Sequence, residues 1–240
     1  MPIDFDTDDM IRQLRLAETD IPERLVNRIR QSGPLMIEPL LKLALDEALI
    51  HAFERTSNAP VHALRLLGDI GDARIIEPLL RAVPMATQDD TEQDPAWFWA
   101  GEMPQMLARL GSTAIEPLWA FVDRPEEPTN SRRAACKALA YMTVYDAEQR
   151  EAIIAGLTRR LAEEHDKVHA SYLLAALADI GVATIYTDAM AGYRAGRFDS
   201  NIIPASKARQ LLLAKGSKPL ACVNHSLTER YDMHPLFALE

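Results

Sequence analysis

The sequence is short of the residues that mark several common classes of protein. Its two cysteines, Cys136 and Cys222, lie 86 positions apart, too few for a disulfide framework or a zinc site. No stretch of about 18 apolar residues occurs, so no bilayer-spanning helix is expected. The opening Met1-Pro2-Ile3-Asp4-Phe5-Asp6 lacks the basic start and apolar stretch of a secretion signal, so a reducing cytosol is the expected setting. Basic residues are outnumbered, 26 Lys+Arg against 35 Asp+Glu, for a net charge of −9. That sign disfavours a general binder of nucleic acid or anionic membrane. Ten glycines exclude a collagen-like or linker-like chain. There is no Gly-x-Ser-x-Gly elbow, no phosphate-cradling glycine loop and no notable Cys–His spacing, so neither an enzyme nor a cofactor is expected.

What the chain does have is a repeat. With 48% hydrophobic and 25% charged residues it can bury a core. Ile37-Glu38-Pro39-Leu40 returns as Ile76-Glu77-Pro78-Leu79 and as Ile115-Glu116-Pro117-Leu118, each copy 39 residues after the last. A degraded copy follows at Ile154-Ala155-Gly156-Leu157, and a fainter one at Ile185. Gly33, Gly71, Gly111 and Gly181 each precede a copy by four or five residues. A period near 40 without strand-like alternation belongs to paired-helix arrays. Ile76, Leu79, Leu80 and Val83 fall at i, i+3, i+4 and i+7, one apolar helical stripe. The glycines close one helix, and Asp72 is placed to cap the next.

On these residues the chain resembles the HEAT-repeat family, in particular the short bacterial repeats of the phycobilin-lyase type. Gly71-Asp72-Ala73-Arg74-Ile75-Ile76-Glu77-Pro78-Leu79-Leu80 looks like the turn and second helix of such a repeat. The resemblance covers 33–195 and is clearest over 60–122. It is similar also to an uncharacterised bacterial HEAT-like family whose members often end in a Cys- and His-rich zinc knuckle, absent here. The resemblance implies an all-α fold, a right-handed α-solenoid of stacked antiparallel helix pairs. The chain then reads as a single domain over 1–240. Residues 1–32 form a helical cap and 33–195 the repeats, with an insertion at 84–101. Residues 196–240 form a cap and an extended tail. In the N-terminal cap, Asp20 and Glu23 have capping-box spacing, and Leu25, Val26 and Ile29 form an inward stripe.

Four groups of residues are candidates for function. Glu38, Glu77 and Glu116 share one repeat position and offer an acidic face to a basic protein or peptide. Locally, Glu38–Lys42 and Glu77–Arg81 at i,i+4 also explain them, at about 0.2–0.5 kcal/mol per pair. Glu116 and Arg159 each lack that local partner, so a pair between them is expected. Trp97, Phe98 and Trp99 follow an acidic loop; exposed, they are a hot spot for a partner, and buried, they roof the core. Arg194, Arg197, Lys207 and Arg209 form a basic edge, since 190–240 carries seven basic and four acidic residues. That edge is the one feature in favour of a nucleic-acid-binding alternative. His165 and His169 are four apart, but the HExxH pattern is not met, and Asp166 reads as a helix cap that turns them apart, so no metal is expected. The expected function is a non-catalytic protein- or peptide-binding scaffold. A tetrapyrrole- or small-molecule-handling lyase is the remaining alternative, implied by the resemblance alone. Oligomeric state is not legible.

Overall fold

The computed structural model describes residues 6–52, 58–84, 95–214, 218–233 and 236. Among them there is no strand, and none of their helices is long and apolar enough to cross a membrane. The residues cluster into two compact units. The first is 1–110 together with 225–240, and the second is 111–224. The sequence reading treats 1–240 as one domain with its tail as a terminal cap; here the last helix returns to the first unit.

The first unit holds α1 (Thr7–Arg15), α2 (Glu23–Ser32), α3 (Ile37–Ala44), α4 (Glu47–Ile50), α5 (Ala59–Ile70), α6 (Ile76–Arg81), α7 (Pro95–Ala108) and α14 (Leu227–Met233). Asp6 caps α1 by accepting from the Asp9 N–H at 2.9 Å. Leu25, Val26 and Ile29 are buried as their spacing indicates. The Asp20 capping box does not form: Pro22 occupies the cap position of α2 and no side chain closes it. The centre of the unit is α5, buried from Ala59 to Gly68 on every face and packed between α3 and α7. A Cβ on Gly68 would lie 2.8 Å from Met106 Sδ, so the bare backbone is what lets α7 approach this closely.

The second unit holds α8 (Ile115–Asp123), α9 (Thr129–Tyr145), α10 (Arg150–Glu163), α11 (Lys167–Ile180), α12 (Tyr186–Arg194) and α13 (Ala205–Leu212). Helix α9 buries Ala134, Ala135, Ala138 and Ala140 and packs against α8, α10 and α11; α11 in turn packs against α13. Asp166 caps α11 through the His169 N–H at 2.7 Å, and Gly181 ends it at φ 80°. His165 is exposed and His169 buried, so the cap does turn them apart.

The three Ile-Glu-Pro-Leu tetrapeptides open α3, α6 and α8, each directly after a short 3-10 turn. Proline at the third helical position costs nothing there, because the first four N–H groups of a helix have no partner within it. The fourth and fifth copies need a different register. The corresponding 3-10 turns are Ala147–Gln149 and Ala183–Ile185, so the helices begin at Arg150 and Tyr186. Ile154 therefore lies inside α10 rather than at its start. In this register Glu151, not Ala155, takes the place of Glu116.

Candidate functional site

Glu38 and Glu77 in the first unit and Glu116 in the second are all exposed. Glu77 pairs with Arg81 at 3.0 Å. Among the described residues Glu116 and Arg159 form no ion pair; the neighbouring Arg160 instead clasps Asp123 with two bonds of 2.5 Å. The aromatic triplet divides. Trp97 is 46% exposed, whereas Trp99 is fully buried and donates its indole N–H to the Ala44 carbonyl at 2.9 Å. Phe98 lies 5.7 Å from the Arg65 guanidinium. Consecutive residues on a helix are turned about 100° from one another, so three consecutive rings on α7 cannot share one exposed surface. Only Trp97 is left as an open contact.

The basic edge also shrinks. Arg197 bonds the Leu161 and Glu164 carbonyls at the end of α10, satisfying helix-terminal acceptors. Arg194, Lys207 and Arg209 remain exposed. Cys136 is buried, which pushes its thiol up to about 12 and leaves it unreactive at neutral pH.

A deeply buried constellation of charged and polar groups lies in the first unit, where α14 seats against α5 and α7. The guanidinium of Arg65 donates to Glu102 Oε1 at 2.8 Å. Arg230 donates to Glu102 Oε2 at 3.3 Å and to Gln105 Oε1 at 2.9 Å. The side chains of Arg65, Glu102 and Arg230 are at most 4% exposed. The Tyr231 ring stacks 4.6 Å from the Arg65 guanidinium, and its hydroxyl meets His62 Nδ1 at 2.7 Å. The other ring nitrogen, Nε2, faces the Ala17 carbonyl at 3.3 Å. Burial, then the charge of Arg65, lowers the His62 pKa to about 4. Burial raises that of Tyr231. At neutral pH the phenol thus donates to Nδ1 while Nε2–H donates to the carbonyl. Arg109 adds a bond to the His225 carbonyl at 2.9 Å, ahead of α14.

Sequence reasoning missed this cluster. A signal was present: His62 and Arg65 interrupt a run, Ala59 to Gly68, that offers no polar face, and Glu102 does the same after the tryptophans. A charge within an all-apolar helix needs a buried partner.

The second unit has a smaller polar cleft of about 180 Å³, lined by Val122, Asp123, Arg132, Arg160, Glu163, Glu164 and His169. Several of its charges are held by partners within it. Arg160 holds Asp123 and lies 3.9 Å over the Trp119 ring. Arg132 donates to the Val122 carbonyl at 3.2 and 3.1 Å and stands 3.8 Å from Glu164. Burial and Arg132 lower the His169 pKa to about 4, so it faces Glu164 as a neutral ring. The cleft is below the roughly 300–1,000 Å³ of ordinary ligand pockets, and no Ser, Thr, Cys, Lys or Tyr lines it. No cluster of three metal-ligating side chains occurs among the described residues.

The chain matches no protein-family model, and no curated protein and no solved structure is detectably similar to it.

Proposed function

We propose that the protein is a non-catalytic scaffold of HEAT-repeat type, an α-solenoid that binds a basic protein or peptide. The observation that carries this reading is the recurrence of one local device, a 3-10 turn leading into a helix with an exposed glutamate at its second position. It is built on Glu38, Glu77, Glu116 and Glu151. Repeated surfaces of this kind are used for extended partners. Charge supports a basic one: the first unit has 12 basic and 22 acidic residues, a net of −10. The nucleic-acid reading loses Arg197 to the end of α10, and the lyase reading gains nothing from the 180 Å³ cleft of the second unit, so neither is proposed.

Fluorescence anisotropy with labelled basic and acidic peptides of equal length tests it. The basic peptide should bind, weaken as salt rises from 50 to 300 mM, and lose two- to fivefold affinity to a Glu38→Gln/Glu77→Gln variant. Equal binding of both peptides, or none at low salt, contradicts the reading.

A further inference from the structure

The α14 seat is a recognition geometry rather than a greasy contact. Its receptor side offers a carboxylate (Glu102), an amide oxygen (Gln105), an imidazole nitrogen (His62) and a guanidinium plane (Arg65), all on α5 and α7. Its ligand side is two consecutive residues, Arg230 and Tyr231, with Leu227 buried one turn earlier. A guanidinium reaching both a carboxylate and an amide oxygen is directional, and the phenol fixes the register beside it. Helix α14 also brings its own closure. Glu229 accepts from the Ser226 N–H at 2.7 Å, and Ser226 accepts from the Glu229 N–H at 3.3 Å, a capping box. In sequence, α14 is separated from the rest of its unit by the whole of 111–224. It therefore stands in its seat as a tethered peptide. Apolar residues of similar volume would hold a permanent helix at least as well, because buried ions repay their desolvation poorly. Ionic anchors suit a contact that must be selective and reversible.

We propose that the seat of α14 on α5 and α7 is a peptide-binding groove for a helical Leu-x-x-Arg-Tyr segment, and that α14 is its built-in occupant, displaced by a partner segment of that chemistry. This rests on the peptide-binding reading above and names the site within it. The tether makes the seating of α14 intramolecular, so a free segment competes only when it binds tightly or the latch is weakened.

The test uses the full chain and a labelled peptide of residues 224–233. Arg230→Ala in the chain weakens the occupant while leaving Glu102, Gln105, His62 and Arg65 in place. Anisotropy should show this variant binding the peptide at least tenfold more tightly than the unaltered chain. A peptide with alanine at the Arg230 position should not bind, and Gln105→Ala added to the variant should reduce uptake. Hydrogen exchange should show 227–233 losing protection on peptide addition while α3 and α9 keep theirs. If Arg230→Ala fails to fold, Tyr231→Phe, which removes only the hydroxyl on His62, should raise uptake two- to fivefold. Equal uptake by variant and unaltered chain, or equal binding of the alanine peptide, overturns the proposal. A basic peptide without the Arg-Tyr pair that binds at low salt and leaves 227–233 protected overturns it too, while leaving the acidic-scaffold reading intact.

Discussion

Both units carry ion pairs at the rim, but the first also buries a set of ions in its interior. In the first, Arg65, Glu102 and Arg230 are sealed from solvent around the middle of α5 and α7. In the second, Arg160–Asp123, Lys137–Asp179 and Arg132–Glu164 link neighbouring helices at the rim, each with a partly exposed member. Its interior is instead the small-residue packing of α9 against α11. The surfaces differ as well: the second unit has 14 basic and 13 acidic residues, a net of +1, against −10 for the first. The first body is thus closed by a buried charge network, whereas the ion pairs described in the second lie at its rim. A buried network is unforgiving, because removing one ion strands the others, whereas a rim pair is screened by water.

The largest expected effect tests that contrast. Glu102→Ala leaves Arg65 and Arg230 without their carboxylate and should cost about 3–5 kcal/mol in urea unfolding. Asp123→Ala in the second unit, whose carboxylate is 50% exposed, should cost about 1 kcal/mol or less. Equal losses would erase the distinction.

Acid should come next. His62 has its pKa lowered from 6.5 to about 4, so the folded chain binds fewer protons than the unfolded chain between those values. Its contribution is complete above pH 6.5 and disappears as pH falls toward 4, on the order of 3 kcal/mol in all. His169 in the second unit shifts the same way and adds a smaller share. Urea midpoints at pH 7, 5.5 and 4.5 should fall in that order, and a flat profile would show that neither ring is held neutral.

Tight backbone approaches, present in both units, give intermediate effects. Gly68→Ala drives a methyl into Met106, and Gly192→Ala drives one into Phe198. Each should cost about 1–3 kcal/mol by overpacking. The rigid ring gives way less than the flexible thioether, so Gly192→Ala is expected to be the worse of the two. Smallest of all, Trp97→Ala should stay within about 0.5 kcal/mol, while its buried neighbour Trp99→Ala costs about 3–5 kcal/mol. Thermal melts of the two variants separate them directly.

Local features were legible in the sequence because local rules decide them. The apolar stripes, the αL glycines Gly71 and Gly181 and the caps Asp72 and Asp166 all lie within a few residues of the bonds they make. The fourth repeat was misregistered because its turn carries neither the glycine nor the Ile-Glu-Pro-Leu marker. Asp146 stands at that turn instead, with its side chain on the Glu148 N–H. The column of glutamates was visible as a pattern, but the bonds that bury Trp99 and tie Arg197 to a helix end were not. Their partners, the Ala44, Leu161 and Glu164 carbonyls, lie 33 to 55 positions away. The α14 seat was hidden most deeply. His62 and Tyr231 are 169 positions apart, Glu102 and Arg230 are 128 apart, and no periodicity links residues at such separations.

The central claim is that the first unit is closed by a buried ionic seat for α14, and a double-mutant cycle on Arg230→Ala and Glu102→Gln in urea tests it most directly. A coupling of at least about 1 kcal/mol between the two positions is expected. Strictly additive losses would mean that the two side chains do not meet in the folded protein, and the groove would go with them.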